Sequence, residues 1–499
     1  MEPRQAPEET LDPQDWDAMR ALGHRMVDDM LDWLESARER EVWRPVPAEV
    51  KARFQQPLPA GPAAPAEVYA DFREHILPYP MGNTHPRFWS WVMGNGTALG
   101  MLAEMLAAGM NPNMGGGEHV GIYVERQVID WTKAMLGFPE DSSGLLVSGG
   151  SMANLVGLAV ARNVHADFDV RAAGLQGCTG RMMIYTSSEA HSSIQKAVEL
   201  LGLGSESLRL IPVDAAYRID VAALEQALAD DRAAGLQPIC LIGHAGTVNT
   251  GAIDPLETLA DIAAREGLWF HVDGAIGALG ALAPDLRPKL AGMSRADSVA
   301  LDFHKWMYVQ FEAGCVLVRD EPSHRQAFTL TPEYLEHHGE RGLAGGSRWP
   351  SEYGVQLTRG FRALKIWMSL REHGADKYGR LISQNAAQAR YLAELVEASP
   401  ELELVAPVDL NIVCFRFNPG AGSGRAGDDD ALNALNQEIL LRLHESGLAA
   451  PSYTTLRGRY ALRAAITNHR SRREDFDLLV REVVRLGREV READSAVVE

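Results

Sequence analysis

Residues 268–275 read LWFHVDGA and residues 297–306 read DSVALDFHKW. Both are short apolar runs that stop at an aspartate, Asp273 in one and Asp302 in the other, and the second continues straight into His304 and Lys305. Runs of about four to eight apolar residues, rich in β-branched and aromatic side chains, fit strands covered on both faces, as in a parallel sheet. A carboxylate at the end of such a strand needs a hydrogen-bonding or charged partner, because burying it alone is costly. A lysine so close behind a buried strand is equally out of place in a core. An amine desolvated there is favoured in its neutral form, which can condense with an aldehyde.

Further runs of the same kind flank these two: GLLV (144–147), RMMIY (181–185), PICLIG (238–243) and GCVLV (314–318). Amphipathic stretches such as SSIQKAVELL (192–201) and LETLADIAAR (256–265) lie between several of them. This alternation over 96–320 predicts an α/β domain built on a mostly parallel sheet with helices on both faces. Ligands of such sheets bind beyond the carboxyl ends of the strands. GLLV leads into SGGSMAN (148–154), where two glycines allow a sharp turn and Gly150 and Ser151 open a helix whose free amides favour an anion. RMMIY leads, a few residues on, to His191. Singly, each has an ordinary explanation: a Gly-Gly-Ser turn is usually only a turn, and a histidine after a strand is usually a cap. Together they place a phosphate cradle, a ring-stacking histidine, a carboxylate and an imine-forming lysine at one edge of one sheet, the elements a pyridoxal-phosphate site needs. A nicotinamide-binding motif fails, since no GxGxxG follows the first strand and no acidic residue closes a second at the expected spacing.

Residues 14–40 carry Met19, Leu22, Met26, Met30 and Trp33 on one helical stripe. The Pro- and Ala-rich stretch from Pro45 to Pro65 is expected to be an extended linker, and an arm tethered in this way fits packing against another subunit. After about residue 366, long helical patterns (370–398, 430–446, 473–493) surround two strand candidates, NIVCFRF (411–417) and YALRAAI (460–466). The expected division is an N-terminal helical arm and linker at 1–95, a large domain at 96–365 and a small C-terminal α+β domain at 366–499. With 46% hydrophobic and 23% charged residues, the 499-residue chain has the composition of a globular protein. A formal net charge of -19 argues against nucleic acid or an anionic membrane as a partner. No apolar run approaches a membrane span, and the first residues lack the apolar core of a signal peptide. Cys178, Cys240, Cys315 and Cys414 form no CxxC pair, and three sit in strand-like runs. They read as reduced core thiols of a cytoplasmic protein, and no metal site is expected.

With these residues assembled, the chain resembles the group II pyridoxal-phosphate decarboxylases, the aromatic-L-amino-acid decarboxylase family, from about residue 14 to 490. The resemblance rests on HVDGA (271–275), DSVALDFHKW (297–306) and RGFRALKIW (359–367), in that order and separation. It implies a fold-type I enzyme with a seven-stranded large-domain sheet, a homodimer with active sites at the subunit interface, and pyridoxal 5'-phosphate as cofactor. Carried over residue by residue, it makes Lys305 the lysine that holds the cofactor as a Schiff base and Asp273 the partner of the pyridine nitrogen. His191 stacks on one face of the ring and Ala275 packs on the other. Ser151, the Gly150 backbone and His304 hold the phosphate, and Thr247 in AGTVNTG (245–251) lies near the ring. TLTPEYLE (329–336) resembles a mobile loop whose tyrosine, here Tyr334, protonates Cα after carbon dioxide leaves. In plant and insect relatives, loss of this tyrosine or of the stacking histidine accompanies oxidative, aldehyde-forming chemistry. Both are present here, which favours simple decarboxylation.

HPRFWSW (85–91) resembles the family's N-terminal pocket strip, with Phe88 and Trp91 as candidates to touch the substrate side chain. Arg463, in ALRAAI (461–466), resembles an arginine placed near the substrate carboxylate. The chain departs from the family in two places. Asn-Pro often precedes the His-Lys pair, whereas Asp302 and Phe303 stand here; a carboxylate there is expected to alter local hydrogen bonding and not the chemistry. NPNMGGGEH (111–119) stands where the family has bulky apolar residues and then Ser-Pro, so Asn113, the Gly115–Gly117 run and His119 imply a wider, more polar substrate pocket. The implied activity is decarboxylation of an L-amino acid, aromatic by Trp91 and Phe88, to the amine and carbon dioxide. The alternatives are an aldehyde synthase on the same scaffold, a decarboxylase of a non-aromatic (for example acidic) amino acid, and a cofactor-binding protein without turnover.

Overall fold

The short apolar runs become strands, and the order in which those strands pair gathers the reactive residues along one edge. The structure, a computed structural model, describes residues 9–330, 341–346, 348–421 and 428–498. In chain order the strands are β1 (Phe88–Trp89), β2 (Ser143–Val147), β3 (Met182–Ser187), β4 (Leu208–Ile211), β5 (Gln237–His244), β6 (Trp269–Asp273), β7 (Ser298–Asp302), β8 (Gly314–Val318), β9 (Leu402–Leu404), β10 (Ile412–Phe417), β11 (Ala450–Leu456) and β12 (Arg459–Ala465). The strands from β2 to β8 form a seven-stranded sheet in the order β2-β8-β7-β6-β5-β3-β4. Only β8 runs antiparallel to its neighbours, so the sheet is mostly parallel, as expected. The pattern of apolar runs missed β4. It lies at the sheet edge, where Leu210 is exposed and Ile211 buried, the alternation of a half-solvated strand.

Both faces of this sheet are covered. Leu241, Phe270 and Val272 pack with Ile122 and Val128 of the helix Val120–Leu136 and with Leu259 and Ile262 of the helix Leu256–Glu266. Ile184, Cys240 and Ile242 point to the opposite face, among Val156 and Val160 of the helix Gly150–His165 and Ile194 of the helix Ser192–Leu200. The two-residue period of a strand sends successive side chains to opposite layers, which is why these runs are apolar throughout. Register then aligns their ends. Val147 pairs with Gly314 and Gly314 with Asp302. In a neighbouring row His244 pairs with Asp273 and Asp273 with Ala300.

A second sheet has the order β1-β11-β12-β10-β9. Its β11–β12 hairpin turns at Arg457 and Gly458, both with positive φ (50° and 82°), the conformation that matches strand twist in a two-residue turn. β1 lies parallel to β11, with Phe88 opposite Ala450, so part of the N-terminal segment is built into the sheet of the C-terminal region. The helix Arg362–Ala398 breaks its pattern at Gly374 (φ 70°, ψ 154°). Its first turns bury Ala363 and Ile366 in the large core, and its far end buries Leu392 and Val396 in the small one. The N-terminal stripe forms the helix Trp16–Glu35, capped by Asp15. The Pro45–Pro65 stretch is not extended throughout: Ala48–Arg53 is a helix that buries Val50, and Pro47 precedes its first turn, where a missing N–H costs nothing. Among the described residues, no helix is long and apolar enough to cross a membrane.

Candidate active site

A cavity of 560 Å³ opens at the strand ends. Of the candidate residues, it gathers Trp91, Gly150, Ser151, His191, Asp273, Ala275, His304, Lys305 and Arg463. They come from the ends of both sheets' strands and from the segment just after β1.

Asp273, at the end of β6, sits in a hydrogen-bond relay whose directions are fixed by its donors. Ser298 Oγ accepts the Trp269 indole N–H (2.8 Å), so its own proton goes to His271 Nδ1 (2.7 Å). His271 Nε2–H donates to Asn154 Oδ1 (2.9 Å). The Asn154 amide then donates to Asp273 Oδ2 (3.0 Å) and to Ser193 Oγ (3.2 Å). Ser193 Oγ donates in turn to His191 Nδ1 (2.8 Å), which also accepts the Ser193 amide (3.1 Å). His191 therefore carries its ring proton on Nε2. Burial lowers His271 to about 4 and holds His191 below its ordinary value, so both rings are neutral at neutral pH, as this relay requires. Gly157 makes room for it, since a Cβ there would lie 2.9 Å from His271 Cε1. Burial pushes the Asp273 carboxyl up, but His244, the Ala275 amide (3.1 Å) and Lys305 outweigh it and hold the group below the usual carboxylate range. Asp273 is thus a buried, ionised carboxylate facing a cavity.

The helical turn Phe303–Trp306 carries His304 and Lys305 away from β7. His304 Nδ1 accepts the Ala313 amide (3.1 Å), which places its proton on Nε2. Lys305 Nζ lies 2.8 Å from Asp302 Oδ2. The Gly149–Gly150 turn packs tightly against this group: a Cβ on Gly150 would lie 3.0 Å from both Ala275 Cβ and Asp302 Oδ2. A Cβ on Gly314 would lie 2.5 Å from Gly149 Cα. Backbone alone fits here, and it leaves the Gly150 and Ser151 amides at the start of the helix Gly150–His165, ahead of the helix's own hydrogen-bond ladder.

Arg463 lines the cavity, but most of its donors serve the protein. Nε donates to Asn249 O (2.9 Å), Nη1 to Trp91 O (2.9 Å) and Ser452 Oγ (3.1 Å), and Nη2 to Val248 O (2.5 Å). One Nη2 hydrogen is left without a partner among the described residues. The arginine therefore fixes the backbone of Trp91, which adopts φ 55°. Several other candidates do not line this cavity. Phe88 is buried in β1, 6.3 Å from the Trp91 ring. Thr247 is buried and bonds Thr250 (3.0 Å), while its neighbours Gly246 and Val248 line the cavity. Asn113 Oδ1 accepts the amides of Gly115 (3.0 Å) and Arg359 (3.1 Å), and His119 Nε2 bonds Asn113 O (3.2 Å). Tyr334 lies outside the described residues.

Reading by strand ends overlooked Asn154, Ser193 and His244. His244 ends β5 as Asp273 ends β6, so the same rule extended to PICLIGH finds it. Asn154 is one helical turn beyond Ser151, on the face that Ser151 shares.

A phosphorylated aromatic aldehyde fits this set. At the Gly149–Ser151 turn a Cβ on Gly149 or Gly150 would crowd His304, Ala275 and Asp302, and the Gly150 and Ser151 amides stand ahead of the helix ladder. His304 and His191 each carry an Nε2–H, Asp273 is an anion, and Lys305 supplies a primary amine. Comparison with known proteins leads to the same place. The family described as "Pyridoxal-dependent decarboxylase conserved domain" matches residues 47–418. The aromatic-L-amino-acid decarboxylase of Bacillus atrophaeus is 31% identical over 95% of this chain and 96% of that protein. The phenylacetaldehyde synthase of Arabidopsis thaliana is 31% identical over 91% of this chain and 93% of its own. The crystal structure of Oryza sativa TDC with PLP and tryptamine superimposes with a TM-score of 0.87 at 28% identity, covering 96% of this chain and all of that one. On the family match, on 31% identity over nearly the full length of a relative and on a strand edge shaped for the cofactor, the chain belongs to the pyridoxal-phosphate-dependent decarboxylases.

Proposed function

We propose that the chain decarboxylates an aromatic L-amino acid to the amine and carbon dioxide, as a cytoplasmic homodimer. The observation that carries the substrate reading is the apolar side of the cavity, where Trp91, 56% exposed, stands with Tyr453, Val92, Val248 and Ile276. Such surfaces favour a flat apolar side chain, which gains by leaving water, over a charged one, which loses. The similarity to the Bacillus atrophaeus decarboxylase points the same way.

In this reading Lys305 holds the cofactor through its amine. The Gly150 and Ser151 amides and His304 Nε2–H bind the phosphate, while His191 and Ala275 bracket the ring. Asp273, ionised, holds a proton on the pyridine nitrogen. Bound there, pyridoxal phosphate supplies the electron sink that takes up the bonding pair as carbon dioxide leaves. Arg463 turns its remaining Nη2 hydrogen toward the substrate carboxylate, and Tyr334 delivers the proton to Cα. Thr247 supports the loop that holds Val248 at the cavity.

A homodimer is supported by an apolar face at Met105, Leu106 and Met110 of the helix Ala98–Met110 and at Val120 and Tyr123 of the next helix, all exposed. The segment bearing Asn113 and His119 joins these two helices, so a second copy seated here would meet those residues. The free thiols of Cys178, Cys240, Cys315 and Cys414 support a reducing, cytoplasmic setting.

A second reading, oxidative conversion to an aldehyde, is favoured by the similarity to the Arabidopsis thaliana phenylacetaldehyde synthase. One experiment tests both. The cofactor-loaded protein is offered every proteinogenic amino acid and hydroxylated aromatics, with carbon dioxide, amine, aldehyde and peroxide each measured. Amine from aromatic substrates without peroxide is expected. Reaction with aspartate or glutamate alone would refute the aromatic assignment, and aldehyde with peroxide would establish the second reading.

A further inference from the structure

Asp302 closes β7 and is 2% exposed. Its Oδ2 lies 2.8 Å from Lys305 Nζ and 3.7 Å from His304 Nε2, and its Oδ1 is buried with no hydrogen-bond partner. A Cβ built on Gly149 would meet Oδ1 at 3.6 Å, and one on Gly150 would meet Oδ2 at 3.0 Å. The carboxylate therefore faces the first turn of the helix Gly150–His165. Free amides and the positive end of the helix dipole favour an anion at that turn. A fixed carboxylate and an incoming phosphate thus meet at one helix end.

We propose that Asp302 makes cofactor binding proton-linked: the phosphate is taken up together with one solvent proton, which bridges Asp302 and a phosphate oxygen. This rests on the reading of Gly150 and Ser151 as the phosphate cradle. Near neutral pH a phosphate monoester is mostly a dianion, its second pKa being about 6. Two acidic groups held within hydrogen-bond reach cannot both stay ionised without a large penalty, and one shared proton removes it. The surroundings do not cancel the repulsion. His304 and His191 are held neutral by burial, and the Cys315 thiol, pushed far up by burial, stays protonated. Asp273 and Glu312 line the same cavity and add negative charge, although Glu312 is paired with Arg362. Lys305 is the cation within 4 Å of Asp302 among the described residues, and it is also the group that must engage the cofactor. No covalent bond changes in the proton uptake.

The test titrates the full-length apoprotein with pyridoxal 5'-phosphate and, separately, with pyridoxal, which lacks the phosphate. Dissociation constants are read from absorbance between pH 6 and pH 8.5, for wild type and for Asp302→Asn. Wild type should lose up to about tenfold in affinity for the phosphorylated aldehyde per pH unit, beyond any loss for pyridoxal, as one linked proton dictates. Asp302→Asn should remove that excess slope and, at pH 8, raise affinity for the phosphorylated aldehyde about tenfold or more relative to pyridoxal, since any change acting through Lys305 is common to both aldehydes. A variant that gains nothing, or gains equally for pyridoxal, overturns the proposal, the second because Asp302 would then act through Lys305. Calorimetry in buffers of different ionisation enthalpy needs no variant: at pH 8 wild type should take up about one proton more with the phosphorylated aldehyde than with pyridoxal. A difference of zero overturns the proposal. Failure of wild type to bind either aldehyde overturns the cradle reading itself, and the proposal with it.

Discussion

Asn154→Leu replaces one side chain with another of similar size and removes three hydrogen bonds at once. Asp273 Oδ2 loses its 3.0 Å donor, while Oδ1 keeps the Ala275 amide at 3.1 Å. A hydrogen bond to a charged group contributes about 1.5–3 kcal/mol. The Asp273 carboxyl, now held below the ordinary range, should therefore rise. The His271 Nε2–H, fully buried, is left without its acceptor, at a further cost of about 1–3 kcal/mol. The expected loss of stability at pH 7 is about 3–5 kcal/mol, read from urea unfolding. The sign with pH follows from the depressed value. In wild type the contribution of Asp273 is fully present above the ordinary carboxylate range and is lost as pH falls through the lower, folded value. In the variant, with the folded value raised, that loss is complete at a higher pH. The decisive assay is the acid limb of the pH–rate profile, which should move to higher pH. Turnover at pH 7 should fall only about tenfold, since the carboxylate stays ionised there and loses orientation, not charge. Superimposable acid limbs for the two proteins would show that Asn154 does not tune Asp273.

Asp273→Asn removes the charge itself, so turnover should fall by about 10²–10³ or more while absorbance still reports bound cofactor; near-normal turnover would remove Asp273 from its assigned role. Tyr334→Phe keeps the ring and deletes the proton donor, so amine formation should slow sharply and aldehyde and peroxide should appear. Amine made at the wild-type rate by that variant would pass the proton delivery to His191 or to water. Arg359→Met breaks the buried pair with Glu125, whose two side chains are each 1% exposed, and should cost about 3–5 kcal/mol because a lone carboxylate is left in the core. Adding Glu125→Gln should restore part of that loss, and a double variant less stable than the single one would contradict it.

Much of the site was legible because a parallel sheet imposes a simple rule. Its strands are apolar on both faces, so they stand out as runs, and ligands bind where the runs end. Lys305, Asp273, His191 and the Gly149–Ser151 turn were all found in this way, without knowledge of which strand lies beside which. The same rule, extended by one residue past PICLIG, reaches His244. The C-terminal helices were equally plain from their periodicity, although the long one begins at Arg362 and is broken at Gly374.

Other features depend on which parts of the chain meet. Two residues of β1 join a sheet whose other strands lie more than 300 residues later, and no local pattern announces that pairing. An arginine in an apolar strand invites the thought of a substrate carboxylate; only packing reveals that Arg463 gives most of its donors to the carbonyls of Trp91, Val248 and Asn249. Asn154 gains its meaning from His271 and Asp273, more than 100 residues away. Asp302, the last residue of β7, was visible as a departure expected to alter hydrogen bonding alone. That its carboxylate faces the helix turn at Gly149–Gly150 follows from the register of β2, β8 and β7. Hydrophobic periodicity is a local property that a sequence carries in full, and it determined the strands, their ends and the residue types waiting there. Hydrogen bonds fail beyond about 3.5 Å, so which donor faces which acceptor was decided only when the tertiary structure set those distances.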